Sequence, residues 1–291
     1  LHSFPTRRSS DLDAAVDLVF PVRQAEDLRQ FLLEAVVLSC AGRSHRTARD
    51  RELIRWNQET ACVGVSVHRR DGRHDVEMIL NQQGRKLVKV NGSPLKRTGE
   101  LMGHVSGVLF APEDLRLVKD GPAERRRFLD MELCQLDKVY MSALSSYNRV
   151  LLQRNKLLKD LGRSTEGLLT LDIWDEQLIA HGSKVIEQRE RFVKTLSDLS
   201  SPIHRKLSGG REDLTIGYEK NVSVENFARE VRSGREKDLF LKTTGSGPHR
   251  DDLSFQIGGI DIRHFGSQGQ QRSAALSLKL SEIELVRRKA G

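Results

Sequence analysis

The 291 residues of this chain are enough for one large domain or two modest ones, and 48 Lys and Arg against 40 Asp and Glu give a formal charge of +8. A content of 37% hydrophobic and 30% charged residues is typical of long solvated helices, and the basic excess favours an acidic polymer as partner over a generic basic surface. No apolar run approaches the roughly 20 residues of a membrane helix. Cys40, Cys62 and Cys134 lack CxxC spacing, which indicates reduced thiols of a cytoplasmic protein rather than a disulfide framework or a zinc site.

The first residues are unlike the rest of the chain. Residues 1–12 look like one reading frame of a common sequencing-adapter oligonucleotide, and no apolar core of signal-peptide length follows them. We therefore expect residues 1–12 to be non-native, with no fold or function of their own. Residues 31–41 have the periodicity of the end of a helix, with Leu32, Ala35 and Ser39 on one side.

The next segment has strand patterns. Residues 61–68 and 75–80 alternate apolar and polar side chains, as strands half-buried in a sheet do. Asn91-Gly92 is a strong hairpin signal, and residues 105–110 predict a further short apolar strand. Residues 61–110 therefore predict a meandering antiparallel sheet.

A helical lobe follows Gly121-Pro122. Residues 123–161 have a helical pattern with a break near Leu136-Asp137, and residues 168–207 predict a second long helix. Apolar residues in that second helix keep a near-heptad step, as in a helix packed against another helix. They are Leu171, Trp174, Leu178, Val185, Phe192, Leu196, Leu199 and Ile203.

Strand signals return after this lobe. Residues 214–218 predict a strand, Ser223 caps a short helix over 224–232, and residues 253–257 alternate as a strand again. The sequence thus predicts an α/β fold in which both ends of the chain contribute to one sheet and a helical lobe is inserted between them.

The most informative local pattern is the turn at 266–272, GSQGQQR, which precedes a helix of about five turns. Unpaired N–H groups and the positive dipole end favour an anion at a helix N-terminus. Gly266 and Gly269 let the backbone approach a ligand, and Ser267 can cap the helix or donate to a phosphate. Taken alone, such a turn is more often a capped helix after a hairpin.

Five separated motifs, in order along the chain, carry a resemblance to a known family. They are SHRT at 44–47, ELIRW at 52–56, FAPEDL at 110–115, GPAERRRFLD at 121–130 and GPHRDDL at 247–253. Together with the turn at 266–272 they resemble the RecF family, bacterial recombination-mediator ATPases with an SMC/Rad50-like head. The resemblance runs from about residue 31 to residue 291. It implies an ABC-type ATPase head formed by residues 13–118 and 244–291, with a helical lobe carrying a short coiled-coil-like arm at 119–243.

The resemblance also implies a function. Family members bind ATP and Mg²⁺, dimerise with ATP, and bind double-stranded DNA at single-strand gaps. With RecR-like and RecO-like mediators they support recombinase loading in recombinational repair and the SOS response. Ser267, Gly269, Gln270 and Gln271 would form the ABC signature, which closes over the γ-phosphate held by the partner subunit.

Other residues are candidates for binding. Arg46, His249 and Asp251 are expected near the nucleotide, although a solvated turn at Arg46 and a structural turn at His249 and Asp251 explain them as well. The run at 125–127 places arginines at a helix start, against the dipole, which suggests a phosphate or domain contact unless it is a solvated face. The DNA-binding candidates form a basic side of the first lobe helix without interleaved aromatics, so we expect backbone contact without base reading. They are Arg149, Arg154, Lys156 and Lys159.

The phosphate loop expected from the resemblance is not recognisable. Counting back from Leu32 places the last three residues of G-x-x-x-x-G-K-[ST] at Leu28, Arg29 and Gln30, and none has the required chemistry. The strand with the Mg²⁺-holding acids would follow residue 291. The chain as written is thus expected to bind no ATP or Mg²⁺ and to hydrolyse none. The alternative to a RecF function is a basic, non-catalytic DNA-binding fragment, or a defective reading frame without ATP chemistry.

Overall fold

The computed structural model describes residues 25–44, 47, 49–69, 72–110, 114, 116–160 and 165–290. The segment 1–12 and Arg46 lie outside these residues. The chain divides into two compact units, the first ending at Leu109 and the second running from Phe110 to Lys289. Residues 119–243, expected to form the helical lobe, and residues 244–289 lie together in the second unit.

The first unit is a helix packed on an antiparallel sheet. Helix α1 (Ala25–Ala41) contacts a sheet whose strands follow the order of the chain. These strands are β1 (Thr60–Arg69), β2 (Gly72–Asn81), β3 (Lys86–Val90) and β4 (Ser93–Pro94). Val65 pairs with Val76, and both are buried in a core that also receives Leu38 of α1. The predicted meander is confirmed over residues 60–94.

The hairpin between β3 and β4 follows its sequence signal. Asn91 has φ 50° and Gly92 has φ 78°, so both residues of the turn are left-handed, as a two-residue type I′ connection requires. Asn and Gly tolerate this region better than other residues do.

The strand predicted at 105–110 is wrong. Only Val105 makes a bridge, to Met102, and residues 106–110 have no ladder partner among the described residues. Val105 is instead buried in the core of the first unit. An apolar run becomes a strand only where a neighbour supplies hydrogen bonds, and the run itself carries no information on that neighbour.

The second unit contains a long antiparallel helical hairpin. Its first helices are α2 (Arg116–Lys119), α3 (Pro122–Leu136), α4 (Lys138–Asp160) and α5 (Thr165–Leu207). The break predicted near Asp137 is confirmed, since the Asp137 carboxylate accepts from the Val139 N–H at 2.7 Å at the start of α4. Helices α4 and α5 run antiparallel, because Arg154 meets Asp175 and Tyr140 meets Arg189.

A small sheet and a final helix complete the second unit. Along the chain, β5 (Leu214–Glu219) is followed by helices α6 (Val224–Ser233) and α7 (Arg235–Leu241) and then by β6 (Asp252–Ile257). The last elements are β7 (Ile260–Asp261), α8 (Ile262–Phe265) and the long helix α9 (Gln268–Ala290). Strand β5 pairs with β6, so the two ends of the described chain form separate sheets. The expectation of one shared sheet is wrong for the described residues. None of the described helices is long and apolar enough to cross a membrane.

Candidate functional site

The turn before α9 is held by a reciprocal pair of hydrogen bonds. Ser267 precedes the helix, and its Oγ accepts from the Gln270 N–H at 3.2 Å. The Gln270 side chain returns the contact, because its Oε1 accepts from the Ser267 N–H at 2.9 Å. This is a capping box, S-x-x-Q, which satisfies two donors that the helix itself leaves unpaired. The capped-helix interpretation is therefore correct as a description of the local structure.

The same turn is open to solvent. Ser267, Gln268 and Gly269 are exposed. A Cβ placed on Gly269 would meet only Ser267 Oγ, at 3.7 Å, so packing within the described chain does not demand glycine there. The lack of a side chain leaves room for a group that approaches from outside the chain.

Gln271 does not share this face. It is 7% exposed, and its Nε2 donates to the Ile262 carbonyl at 2.8 Å. One helical step turns its side chain away from Gln270 and towards α8. The side-chain amide of Gln271 thus holds the preceding helix in place and does not lie on the exposed face of the turn.

Gln270 also contacts the turn that follows α5. Its Nε2 donates to Oε1 of Glu212 at 2.9 Å, and Oε2 of Glu212 lies 3.2 Å from Nε2 of His204. His204 is fully buried near the end of α5, with its Nδ1 3.2 Å from Ser277 Oγ on α9. No sequence pattern indicated this link, since Glu212 is 58 residues from Gln270.

His249 and Asp251 face the interior of the second unit. Asp251 is fully buried, and its carboxylate accepts from the Asn221 N–H at 2.8 Å, from the Tyr218 hydroxyl and from Arg189 at 3.3 Å. Burial raises the pKa of Asp251 in spite of these donors. These partners within the unit favour the structural-turn interpretation of Asp251.

His249 is held as a neutral ring. Its Nε2 lies 3.0 Å from the Thr244 carbonyl, which can only accept, so the Tyr147 hydroxyl donates to Nδ1 at 2.6 Å. Burial lowers the pKa of His249 to about 4, in agreement with this tautomer. The hydrogen bond between Tyr147 and His249 joins the 247–250 turn to α4.

The arginine run at the start of α3 makes contacts within the second unit. Arg125 is buried and binds Asp252 through two parallel hydrogen bonds of 2.5 and 2.9 Å, and Arg126 donates to the Asp251 carbonyl at 2.7 Å. These two residues therefore do not form a solvated face, and they tie α3 to the start of β6 within one unit.

The basic side of α4 contains three of its four predicted members. Arg149, Lys156 and Lys159 are exposed. Arg154 is fully buried and donates to Asp175 at 2.6 Å and to Asp238 at 2.7 Å. A guanidinium buried in these ion pairs does not face DNA, so the prediction for Arg154 is wrong. Arg154 lies about 140° around the helix from Arg149, a separation that the helical period could have shown.

The phosphate-loop positions lie in a helix. The backbone of Leu28, Arg29 and Gln30 belongs to α1, which begins at Ala25. A helical backbone does not form the nest of N–H groups that cradles phosphate in a Gly-rich loop. Among the described residues, no group of three or more His, Cys, Asp and Glu could hold a metal ion. The helical backbone of residues 28–30 thus does not fit a phosphate loop.

An α/β unit with an inserted helical hairpin and an exposed capped turn at α9 defines the head of an ABC-type ATPase that carries a helical arm. The RecF protein of Lachnoclostridium phytofermentans is 49% identical over 256 residues, which cover 88% of this chain and 71% of that protein. That of Lachnospira eligens is 48% identical over 258 residues, again 88% and 71%. The chain belongs to the RecF family of DNA replication and repair proteins.

The solved structures agree with this assignment. The recombination mediator protein RecF bound to ATP, described as part of the RecFOR pathway, superposes with a TM-score of 0.83 at 36% identity over 89% of this chain and 72% of its own length. A second RecF structure gives a TM-score of 0.82 at 35% identity. No family model matches the chain. The resemblance and fold class inferred from the motifs are confirmed.

Proposed function

We propose that this chain acts in recombinational DNA repair by presenting the turn at Ser267–Gln270 to ATP held by a second RecF subunit, while α4 binds duplex DNA at single-strand gaps. The observation that carries the nucleotide half of this proposal is the exposed capping box of α9, which lies in a fold shared with RecF. Association driven by ATP would then place the chain on DNA and support recombinase loading.

The chemistry of the turn suits a phosphate. Ser267 Oγ already accepts from the Gln270 N–H, so its own hydroxyl proton remains available for a phosphate oxygen. Gly269 leaves the approach open, and the positive end of α9 favours the negative charge. Bound ATP would supply the γ-phosphate, and its Mg²⁺ would offset part of the charge. Since residues 28–30 are helical, we assign neither the phosphate loop nor hydrolysis to the residues that the structure describes.

RecO-like and RecR-like proteins are the expected mediators. The support is that the solved RecF relative is described as part of the RecFOR pathway. No surface of the second unit is assigned to them.

The test is ATP-dependent association with a second RecF. The chain is mixed with the RecF of L. phytofermentans, ATP and Mg²⁺, and mixed dimers are measured by sedimentation velocity. We expect mixed dimers with the unmodified chain and none with Ser267→Arg, because the arginine side chain fills the space needed for the γ-phosphate. Ser233→Arg, at an exposed serine at the end of α6, is the matched control and should associate normally. Association without ATP, or equal association of Ser267→Arg, would contradict the nucleotide role.

A further inference from the structure

The side chain of Gln270 has two tasks at opposite ends of its amide. Its Oε1 accepts from the Ser267 N–H and caps the helix, and its Nε2 donates to Oε1 of Glu212. A flipped amide would place Nε2 against a donor and Oε1 against a carboxylate. Glu212 therefore selects the amide orientation that forms the capping box.

Glu212 is itself held in a short, ordered turn between α5 and β5. Its N–H donates to Ser208 Oγ at 3.2 Å, and the Ser208 N–H donates to the His204 carbonyl at 2.9 Å. The second carboxylate oxygen of Glu212 faces the buried His204 ring. The carboxylate is 27% exposed, so it is partly shielded from water, and its contact to Gln270 is correspondingly stronger than a surface contact.

The link continues along α9 as a row of polar contacts with α5. His204 Nδ1 lies 3.2 Å from Ser277 Oγ, and Ser200 Oγ lies 2.9 Å from Ser281 Oγ, with all four side chains buried or nearly so. Directional hydrogen bonds of this kind fix the register of two helices more sharply than apolar contacts do. The row ends at the capping box.

We infer that Glu212 and His204 are positioning residues for the signature turn, which couple the end of the arm helix α5 to the orientation of Gln270 and Ser267. The inference rests on the proposed nucleotide role of that turn. The Glu212–Gln270 contact holds the turn in its capped form before ATP arrives, so that association does not have to order it. Loss of the contact releases the Gln270 amide and loosens the first turn of α9.

The first measurement needs no nucleotide. Amide hydrogen exchange of residues 268–273 is compared in the unmodified chain, in Glu212→Ala and in Asp213→Ala. Asp213→Ala is the matched control, because it removes the same charge from the adjacent residue. Asp213 pairs with the exposed Arg205 and not with Gln270. We expect exchange about ten-fold faster in Glu212→Ala, consistent with the loss of a charge-assisted hydrogen bond. Exchange in β6 should not change, which separates local loosening from unfolding.

The second measurement reads the function of the turn. In the mixed-dimer assay, we expect Glu212→Ala to raise the ATP concentration for half-maximal association about ten-fold, and Asp213→Ala to leave it unchanged. Glu212→Gln retains a carbonyl oxygen that can accept from Gln270 Nε2, and should recover most of the loss.

The outcomes separate this inference from the proposed function. Equal exchange at 268–273 in Glu212→Ala and Asp213→Ala would overturn the positioning role, even if Ser267→Arg abolishes association. Faster exchange in Glu212→Ala without any ATP-dependent association of the unmodified chain would leave the positioning of the turn intact and refute its nucleotide role. Faster exchange with unchanged ATP dependence would show that the turn is held but that its order does not matter for association, which also overturns the inference.

Discussion

Nε of Arg154 on α4 donates to Oδ1 of Asp175 on α5 at 2.6 Å, with both side chains excluded from solvent. The same guanidinium donates to Asp238 on α7 and to Thr244 Oγ1, so one buried cation ties three helices to the segment before the 247–250 turn. Arg235 also binds Asp175, at 2.6 Å, and continues the cluster towards the surface.

This cluster predicts a large loss of stability from a single change. Arg154→Ala leaves two buried carboxylates without their main partner, and removing one member of a buried ion pair costs about 3–5 kcal/mol. Urea unfolding followed by circular dichroism measures the loss. Lys156→Ala, at an exposed position on the same helix, should change the free energy of unfolding by less than about 0.5 kcal/mol. A loss below about 1 kcal/mol for Arg154→Ala would show that the cluster adds little.

DNA binding through α4 predicts a specific salt dependence. Replacing Lys156 and Lys159 together by alanine removes two phosphate contacts, so the slope of log K against log salt should fall by about 1.8 for duplex DNA. Fluorescence anisotropy with a gapped duplex at several salt concentrations gives the slope. Lys194→Ala with Lys206→Ala removes the same charge from exposed positions on α5 and serves as the control. Equal slopes for the two double variants would reject α4 as the DNA face.

A buried pair of acids between α3 and α9 predicts a dependence of stability on pH. Glu132 and Glu282 are 3% and 1% exposed, and burial raises the pKa of Glu132 to about 7 from the usual 4.5. Burial and the charge of Glu132 also raise the pKa of Glu282. The folded chain thus holds a proton on the Glu132–Glu282 pair that the unfolded chain has lost above pH 4.5. The associated stability is fully present below pH 4.5 and is lost as the pH rises through about 7.

The variant Glu132→Gln tests this pair, because it keeps the shape of the side chain and removes the titration. The free energy of unfolding of Glu132→Gln, measured relative to that of the unmodified chain, should rise by on the order of 3 kcal/mol when the pH is raised from 4.5 to 8. Urea unfolding at both pH values gives the double difference. Glu124→Gln on the same helix is exposed and should show no such change. A flat difference for Glu132→Gln would mean that the acid is ionised in the folded chain.

Alanine substitutions at the two glycines of the α9 turn should have opposite effects on stability. A Cβ on Gly266 would lie 2.6 Å from the Ile262 carbonyl oxygen, so Gly266→Ala should displace α8 and lower the melting temperature. A Cβ on Gly269 makes only an ordinary contact with Ser267 Oγ at 3.7 Å, and alanine is favoured over glycine in a helix by about 0.5–1 kcal/mol. Gly269→Ala should therefore be at least as stable as the unmodified chain and yet associate poorly in the presence of ATP. Normal association of Gly269→Ala would show that the space is not used by a partner.

Much of the fold could be predicted from local patterns. The helices at 122–136 and 165–207, the strands at 60–90 and the turn at Asn91-Gly92 follow from periodicity and turn chemistry, which act over a few residues. The errors have a common cause. Residues 105–110 have strand composition without a paired neighbour, and Arg154 resembles its exposed neighbours until Asp175 and Asp238 approach it from other helices.

In the candidate site, too, the local contacts could be predicted from the sequence and the long-range contacts could not. Ser267 and Gln270 form a capping box that three-residue spacing can reveal, so the sequence was sufficient for the turn itself. The Glu212 contact depends on a helix of 43 residues bringing a distant turn back to α9, and the burial of Asp251 depends on Arg189, Tyr218 and Asn221 converging from separate elements. Such partners become apparent only when the tertiary structure is known.

Helix α5 is about 65 Å long at 1.5 Å per residue, and Pro202 interrupts its hydrogen-bond ladder within the last two turns. Proline has no N–H for the Asp198 carbonyl, and its ring crowds that carbonyl, so the helix resists bending least at this point. Pro202 lies between Ser200 and His204, the two residues through which α5 contacts α9. We therefore expect a tilt of the long shaft to act on the Ser200–Ser281 contact first, and to reach the short end that bears His204 only through the weakened backbone at Pro202.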